Sequence, residues 1–233
     1  MKLHLLERNI EDFIRINLQS SETTWYHPHE IVSNFNSQWH LPHAAELLNV
    51  FDASLHSRLS QRWWKKDHGD AKQIMQLLIQ SEPELALIAF RDLSNDQSGL
   101  EGRLSRFDYY CTQLLEIHRQ RNFKSVENSH YQDAGMISLY LSGMFPEKYA
   151  LYPGLATFRK YCESVGAVDL PVIDDLVRYE NIVAIINNYL QRHPGLQALT
   201  LYRKTFQMHF DLIPSQYAYE FVCFCGGNPK LEI

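Results

Sequence analysis

Two adjacent tryptophans flanked by cations are the residues of this sequence best suited to contact a ligand. The run consists of Arg62, Trp63, Trp64, Lys65 and Lys66. Indole rings stack on nucleic-acid bases, and arginine and lysine side chains bind phosphate groups. Between residues 57 and 72, five cations accompany two carboxylates, which gives the segment a net charge of +3. The run is therefore predicted to contact nucleic acid, with its rings stacked on exposed or flipped bases.

The same run also fits a purely structural role. One tryptophan can anchor a hydrophobic core while the neighbouring cations form its solvated rim. The exposure of the two rings distinguishes the two interpretations, because a buried indole cannot stack on a base.

A second basic segment lies between residues 103 and 124, where five cations again accompany two carboxylates. Arg119, Arg121 and Lys124 lie near the end of a predicted helix, and they complete the set of candidate nucleic-acid-binding residues. Cations at this position also stabilise a helix dipole, so a structural role without any ligand is consistent with them as well.

Arg62 and His68 allow a catalytic alternative. They are separated by five residues, and the pair resembles the Arg–His pair of HEPN ribonucleases. The pattern is short and occurs often by chance, and no helix is clearly predicted around it. A small ribonuclease is therefore the lesser alternative to a binding role.

No other pattern in the sequence predicts catalysis or a metal site. The histidines and cysteines that come close together in sequence are His27, His29, His40, His43, Cys223 and Cys225. They lack further ligands at the spacing of a zinc site. The sequence contains no phosphate-binding Gly-Lys loop, no Gly-x-Ser-x-Gly elbow and no His-Glu-x-x-His motif. We therefore predict no catalytic residue, no metal and no cofactor, and no hydrolysis of GTP or ATP.

The elements that position these residues are predicted to be helices. Apolar residues recur at helical spacing along nearly the whole chain, and alternating strand patterns are scarce. We predict a mainly α fold, a single compact multi-helix domain over residues 1–233. Residues 19–41 are the least regular segment, where a small irregular or β insert is expected. The longest predicted helix runs from Pro171 to Arg192.

Polar side chains stand directly before one of the predicted helices. They are Asn128, His130, Tyr131 and Gln132, and an amphipathic helix is predicted from Asp133 to Phe145. These residues could recognise a polar ligand, or they could satisfy the backbone of a tight loop and a helix start.

Composition limits the function classes. The chain has 233 residues, of which 45% are hydrophobic, so it can bury a sizeable core. Its formal charge of −5 argues against binding nucleic acid through overall charge and leaves only local basic faces. No signal peptide and no apolar run of membrane-spanning length is recognisable, and the four cysteines fit reduced thiols. We therefore expect a cytoplasmic protein.

Several segments of the chain resemble a known protein family. They are residues 91–93, residues 103–111 with Leu114 and Leu115, and residues 125–132, 136–141, 145–152 and 174–179. Together they resemble the N-terminal region that precedes the AAA+ GTPase module in McrB-like restriction proteins of bacteria. Residues 90–190 match best.

The resemblance implies a role in defence against foreign DNA. The N-terminal domains of that family recognise modified DNA and direct a GTPase and an McrC-like nuclease to it. Because this chain lacks the GTPase module, it is expected to be a non-catalytic specificity domain, either the N-terminal part of a longer protein or a stand-alone relative. The alternative, which the acidic charge favours, is a protein-interaction or assembly domain of such a system without DNA contact.

Overall fold

The protein is mainly helical, as the apolar spacing predicts. A computed structural model describes residues 1–20, 25–57, 61–66, 69–122, 128–206 and 208–227, and of Arg62 and Lys66 it describes the backbone only. Within these ranges the α-helices are α1 (Leu3–Gln19), α2 (Tyr26–Gln38), α3 (Leu47–Ser54), α4 (Ala71–Ser81), α5 (Pro83–Leu93), α6 (Leu100–Arg121), α7 (Ala134–Met144), α8 (Leu155–Ser164), α9 (Leu176–Arg192), α10 (Pro194–Arg203) and α11 (Pro214–Cys225). Strands β1 (Lys65–Lys66) and β2 (Gly69–Asp70) form a short hairpin.

The chain divides into two compact units. Unit 1 comprises residues 1–33 and 145–233, and unit 2 comprises residues 34–144. The boundary falls inside α2, so that helix contributes residues to both units. That residues 1–233 form one domain stays a prediction. None of the helices in the described ranges is long and apolar enough to cross a membrane.

Helix α7 lies at the centre of unit 2. Its eight consecutive residues from Met136 to Gly143 are all buried. The ring of Tyr140 contacts the rings of Phe35, Phe51, Phe90 and Phe107 at centroid distances of 5.4–6.1 Å. Such an aromatic cluster buries a large apolar area and adds edge-to-face contacts. The prediction of an amphipathic helix is therefore wrong in one respect, because α7 has no solvated face between Met136 and Gly143.

Residues 149–152 of unit 1 form a buried segment without regular secondary structure, which contacts α9 and α11. Side chains of these two helices form hydrogen bonds with its backbone groups. Tyr179 donates to the carbonyl of Leu151 at 2.6 Å, and a side-chain oxygen of Glu180 accepts from the amide of Ala150 at 3.3 Å. The side-chain oxygen of Gln216 accepts from the amide of Leu151 at 3.3 Å. Buried backbone groups need such partners, which explains why these polar side chains lie in the core.

Carboxylate caps set the start of three helices. Asp70, Asp133 and Asp175 each accept a hydrogen bond from the backbone amide three residues further on, at 2.9–3.0 Å. A side chain at this position satisfies an amide that the helix itself leaves free. The cap at Asp175 corrects the predicted helix from Pro171 to Arg192, since α9 begins only at Leu176.

The expectation of an irregular or β insert in residues 19–41 is also wrong for most of that segment, of which residues 21–24 lie outside the described ranges. Helix α2 occupies Tyr26–Gln38, and it buries Ile31, Val32 and Phe35. Pro28 lies in its first turn, where a proline is tolerated because that amide has no intrahelical acceptor.

Candidate functional site

The hairpin of unit 2 fixes the position of the predicted tryptophan–cation run. Lys65 pairs with Asp70 and Lys66 with Gly69 in antiparallel register. The amide of Ala71 donates to the carbonyl of Trp64 at 2.8 Å, which joins the run to the start of α4. Lys65 is exposed, and its ammonium donates to the Gln61 side chain at 3.2 Å.

Trp64 belongs to the core and not to a binding surface. Its side chain is 3% exposed, and the Lys72 ammonium lies 5.7 Å from its ring centroid. The predicted role of Trp64 as a stacking platform for bases is therefore corrected, since a buried ring has no face free for a base. Trp63 is half-buried, so only part of its ring could meet a ligand.

The Lys72 ammonium already has three hydrogen-bond acceptors within unit 2. Its ammonium binds the Asp52 carboxylate at 2.7 Å and the carbonyls of Asp52 and Leu55 at 3.2 and 3.1 Å. An ammonium group has three hydrogens, so these acceptors account for all of them. Lys72 thus caps the last carbonyls of α3 and is not free to bind phosphate.

An open cleft of about 240 Å³ lies beside the tryptophan–cation run. It is lined by Asp52, Leu55, His56, Ser57, Gln61, Trp64, Lys65, Asp70, Lys72, Gln73 and Gln76. Its lining mixes carboxylates, amides and ammonium groups over the buried side chains of Leu55 and Trp64. The cleft is smaller than the usual pocket for a drug-sized ligand, and it fits a small polar group at most.

The polar residues before α7 serve the fold of unit 2. The Gln132 amide donates to the carbonyls of Ala71 and His130 at 2.9 and 2.8 Å, and its oxygen accepts from the Tyr140 hydroxyl at 2.6 Å. Gln132 is buried and fully engaged. Of the two interpretations of this segment, the structural one fits Gln132.

The same loop, residues 128–132, contacts both basic segments predicted from the sequence. The Arg119 guanidinium donates to the Asn128 side chain at 3.4 Å. The Tyr131 ring lies against the backbone of Gly69 so closely that a Cβ there would stand 2.8 Å from the ring. The hairpin and the end of α6 thus meet at one loop, although they are distant in sequence. We define the candidate interface as Tyr131 of this loop with Lys65 and Arg119, one cation from each basic segment.

Tyr131 has an unusual backbone conformation within this interface. Its φ is +54°, in the left-handed region, which costs a non-glycine residue about 1–2 kcal/mol. The ring is half-buried, so part of it faces solvent beside the hairpin. Strained residues of this kind concentrate at binding sites, and Tyr131 replaces Trp64 as the aromatic candidate.

Several cations of the two basic segments are already paired. Arg121 binds Glu82 at 2.6 Å, Arg106 binds Asp92 at 2.6 Å, and the buried Arg103 binds Asp96 at 3.2 Å. These pairs lower the positive charge that unit 2 presents to a phosphate backbone.

The side chains of Arg62 and Lys66 are not described, and Lys124 and His68 lie outside the described residues, so the predictions for them stay predictions.

The predicted histidines do not gather around a common centre. His40 and His43 are exposed, His27 is buried, and His29 forms part of a buried ion-pair network. Within the described ranges, no group of three or more histidine, cysteine, aspartate or glutamate residues is placed to hold a metal ion.

That buried network is the feature of unit 1 that the sequence did not reveal. The Arg203 guanidinium binds both oxygens of Glu220 at 2.9 and 2.6 Å and lies between the rings of Trp25 and Tyr217, 4.3 and 4.9 Å from their centroids. His29 donates from Nε2 to Glu220 at 2.7 Å and accepts at Nδ1 from the amide of Ile213 at 2.8 Å. No sequence motif marks it, because its members come from three separate segments, residues 25–29, Arg203 and residues 213–220.

The network sets the charge states of its members. The Ile213 amide can only donate, so Nδ1 carries no proton and the imidazole is neutral. Burial lowers the pKa of His29 below its usual value near 6.5. Burial alone would raise the pKa of Glu220, but Arg203 and His29 outweigh it and hold that pKa below its usual value. The network therefore contains one ion pair with a neutral histidine attached.

Glu180 is a second buried carboxyl group of unit 1, and no cation among the described residues forms an ion pair with it. One oxygen accepts from the Ala150 amide, and no hydrogen-bond partner for the other lies among the described residues. Burial raises the pKa of Glu180 well above its usual value near 4.5. The folded protein therefore keeps the proton of Glu180 to a higher pH than the unfolded chain does.

This carboxyl group makes stability depend on pH in a defined direction. Above pH 4.5 the unfolded chain releases the proton of Glu180 while the folded chain keeps it, so stability falls as pH rises. Glu180→Gln removes the group that releases its proton on unfolding, and with it the loss of stability at high pH. The substitution should therefore raise the melting temperature at pH 8 more than at pH 5. The measurement compares the variant with the native chain at each pH, which cancels the titration of His29. A temperature difference that stays constant from pH 4.5 to 8 would contradict the prediction.

Comparison of the chain with protein-family models, with curated proteins and with solved structures found no match.

Proposed function

We propose that this chain is a non-catalytic specificity domain of a bacterial DNA restriction or defence system, and that it binds DNA, modified DNA in particular. By the family resemblance, it acts in the cytoplasm and directs an AAA+ GTPase module or an McrC-like nuclease to the DNA. The observation that supports the DNA-binding step is that residues 128–132 contact both basic segments, through Asn128 at Arg119 and through the Tyr131 ring at Gly69. A half-buried aromatic ring at the meeting point of two cation-bearing segments suits a base and its neighbouring phosphates.

A protein-interaction or assembly domain without DNA contact is the second candidate. Two observations favour it: the net charge of −5 and the pairing of Arg121, Arg106 and Arg103 with carboxylates. The ribonuclease alternative rests on Arg62 and His68 alone, and it has no further support.

An electrophoretic binding series with methylated, hydroxymethylated and plain DNA of one sequence tests the proposal. Lys65→Ala combined with Lys66→Ala should weaken binding to all three DNAs by roughly tenfold and lower the slope of log K against log salt by about 2. The loss should be uniform, because lysine–phosphate contacts carry no sequence information.

Two variants sharpen this experiment. Lys160→Ala removes an exposed lysine from α8 of unit 1 and should leave binding unchanged. Glu82→Gln removes the carboxylate paired with Arg121, so DNA binding should become stronger. No binding by the native chain to any of the three DNAs, or a double lysine variant that binds as well as the native chain, would favour the interaction domain instead.

A further inference from the structure

An exposed apolar loop joins α8 to α9 in unit 1. This apolar loop, residues 166–175, has the sequence GAVDLPVIDD. Val168 is 100% exposed, Val172 is 74% exposed and Ile173 is 70% exposed. Single exposed aliphatic residues are ordinary on protein surfaces, but three within six positions form a cluster whose burial by another molecule would be favourable.

The first end of the apolar loop is closed by a helix-terminating turn. Gly166 has a φ of +64°, its amide donates to the carbonyl of Glu163 at 3.0 Å, and the amide of Ala167 donates to the carbonyl of Cys162 at 2.9 Å. This is the Schellman arrangement, which fixes the direction in which the chain leaves the helix.

Polar contacts also hold the middle and the second end of the apolar loop. The Arg178 guanidinium donates to the carbonyl and to the side chain of Asp169. Asp175 caps α9 by accepting from the Arg178 amide at 2.9 Å. The loop is therefore preorganised, so that its binding costs little conformational entropy.

The charges of the apolar loop indicate the class of molecule that it fits. It contains three aspartates and no lysine or arginine. Asp174 is exposed, and Asp169, although its side chain is 88% exposed, is paired with Arg178, so one positive charge faces the three aspartates. Carboxylates at the rim repel the phosphates of nucleic acids and of anionic lipids, whereas they attract lysine and arginine side chains.

We propose that the apolar loop docks into a protein partner whose surface offers an apolar pocket bordered by lysine or arginine side chains. Val168, Val172 and Ile173 fill that pocket, and Asp174 meets a basic side chain at its rim. The proposal goes beyond DNA binding and does not depend on it, because the apolar loop belongs to unit 1 and the candidate DNA interface to unit 2.

A selection from a displayed library of random peptides, with the full chain as bait, tests this docking. We expect enrichment of peptides that combine aliphatic or aromatic residues with lysine or arginine. Val172→Ser combined with Ile173→Ser should weaken the binding of the enriched peptides at least tenfold. Leu201→Ser, at a 66% exposed position of α10, is the matched control and should leave that binding unchanged. Absence of enrichment, or equal binding to the double variant, would overturn the proposal.

Two further measurements separate other occupants of the apolar loop. Loop-dependent sedimentation of the chain with phosphatidylserine vesicles would overturn the proposal in favour of a lipid surface. A dimer in sedimentation velocity that the double serine variant dissociates would overturn it in favour of a second copy of the chain. The double variant should melt at the native temperature, and Val168→Ser alone replaces it if it does not.

Discussion

Replacing Glu220 with alanine should lower the free energy of unfolding by about 3–5 kcal/mol. The substitution leaves the Arg203 guanidinium, which is 1% exposed, in the core of unit 1 without a counter-charge. It also removes the acceptor of the His29 Nε2 proton. One substitution removes both interactions, because Glu220 accepts hydrogen bonds from Arg203 and from His29.

Arg203 cannot compensate by turning toward water. Its guanidinium lies between the rings of Trp25 and Tyr217, and one of its nitrogens donates to the Asn17 side chain at 3.2 Å. Moving it would give up these contacts and open a cavity in a packed interior. Urea denaturation of the native chain and of Glu220→Ala measures the loss.

Two further variants make the cause of that loss testable. Glu163→Ala breaks an exposed pair with Arg159 and should change the free energy of unfolding by less than about 0.5 kcal/mol. Arg203→Met combined with Glu220→Met should restore much of the stability that Glu220→Ala loses, because no buried charge is left unpaired. If Glu220→Ala cost no more than Glu163→Ala, the buried ion pair would not have the role assigned to it.

Helical periodicity predicted most of this fold, and the misses have physical reasons. Helix α2 was missed because His27-Pro28-His29 suggests an extended segment, whereas a proline in a first turn is compatible with a helix. Helix α10 was missed for a related reason. Pro194 and Gly195 suggest a helix end, but Pro194 is the first residue of α10.

The candidate interface was only partly predictable. The sequence identified Lys65 and Arg119, since charge along the chain is visible in it. It could not show that Trp64 is buried, because two neighbouring indoles look alike until the packing of α4 is known. Nor could it show that residues 128–132 contact both basic segments. Contacts between distant segments depend on the tertiary fold and leave no local pattern.

Leu141→Asp should lower the free energy of unfolding by more than about 4 kcal/mol. Leu141 is completely buried in α7, and its neighbours along the helix are buried as well. A carboxylate at this position cannot reach water by a change of side-chain rotamer. It is either ionised without a partner or protonated at the cost of a strongly raised pKa, and both states destabilise the folded chain.

Ile88→Asp is the matched control for this prediction. Ile88 lies on α5 in the same unit but is exposed, so the same chemical change should cost less than about 1 kcal/mol. Thermal denaturation of the two variants compares them directly, and a native melting temperature for Leu141→Asp would show that α7 is not the centre of unit 2.

The comparison also bears on function, because unfolding of unit 2 removes the hairpin and residues 128–132 together. Leu141→Asp should therefore abolish DNA binding through loss of the fold, whereas the Lys65→Ala and Lys66→Ala double variant should weaken binding at an unchanged melting temperature.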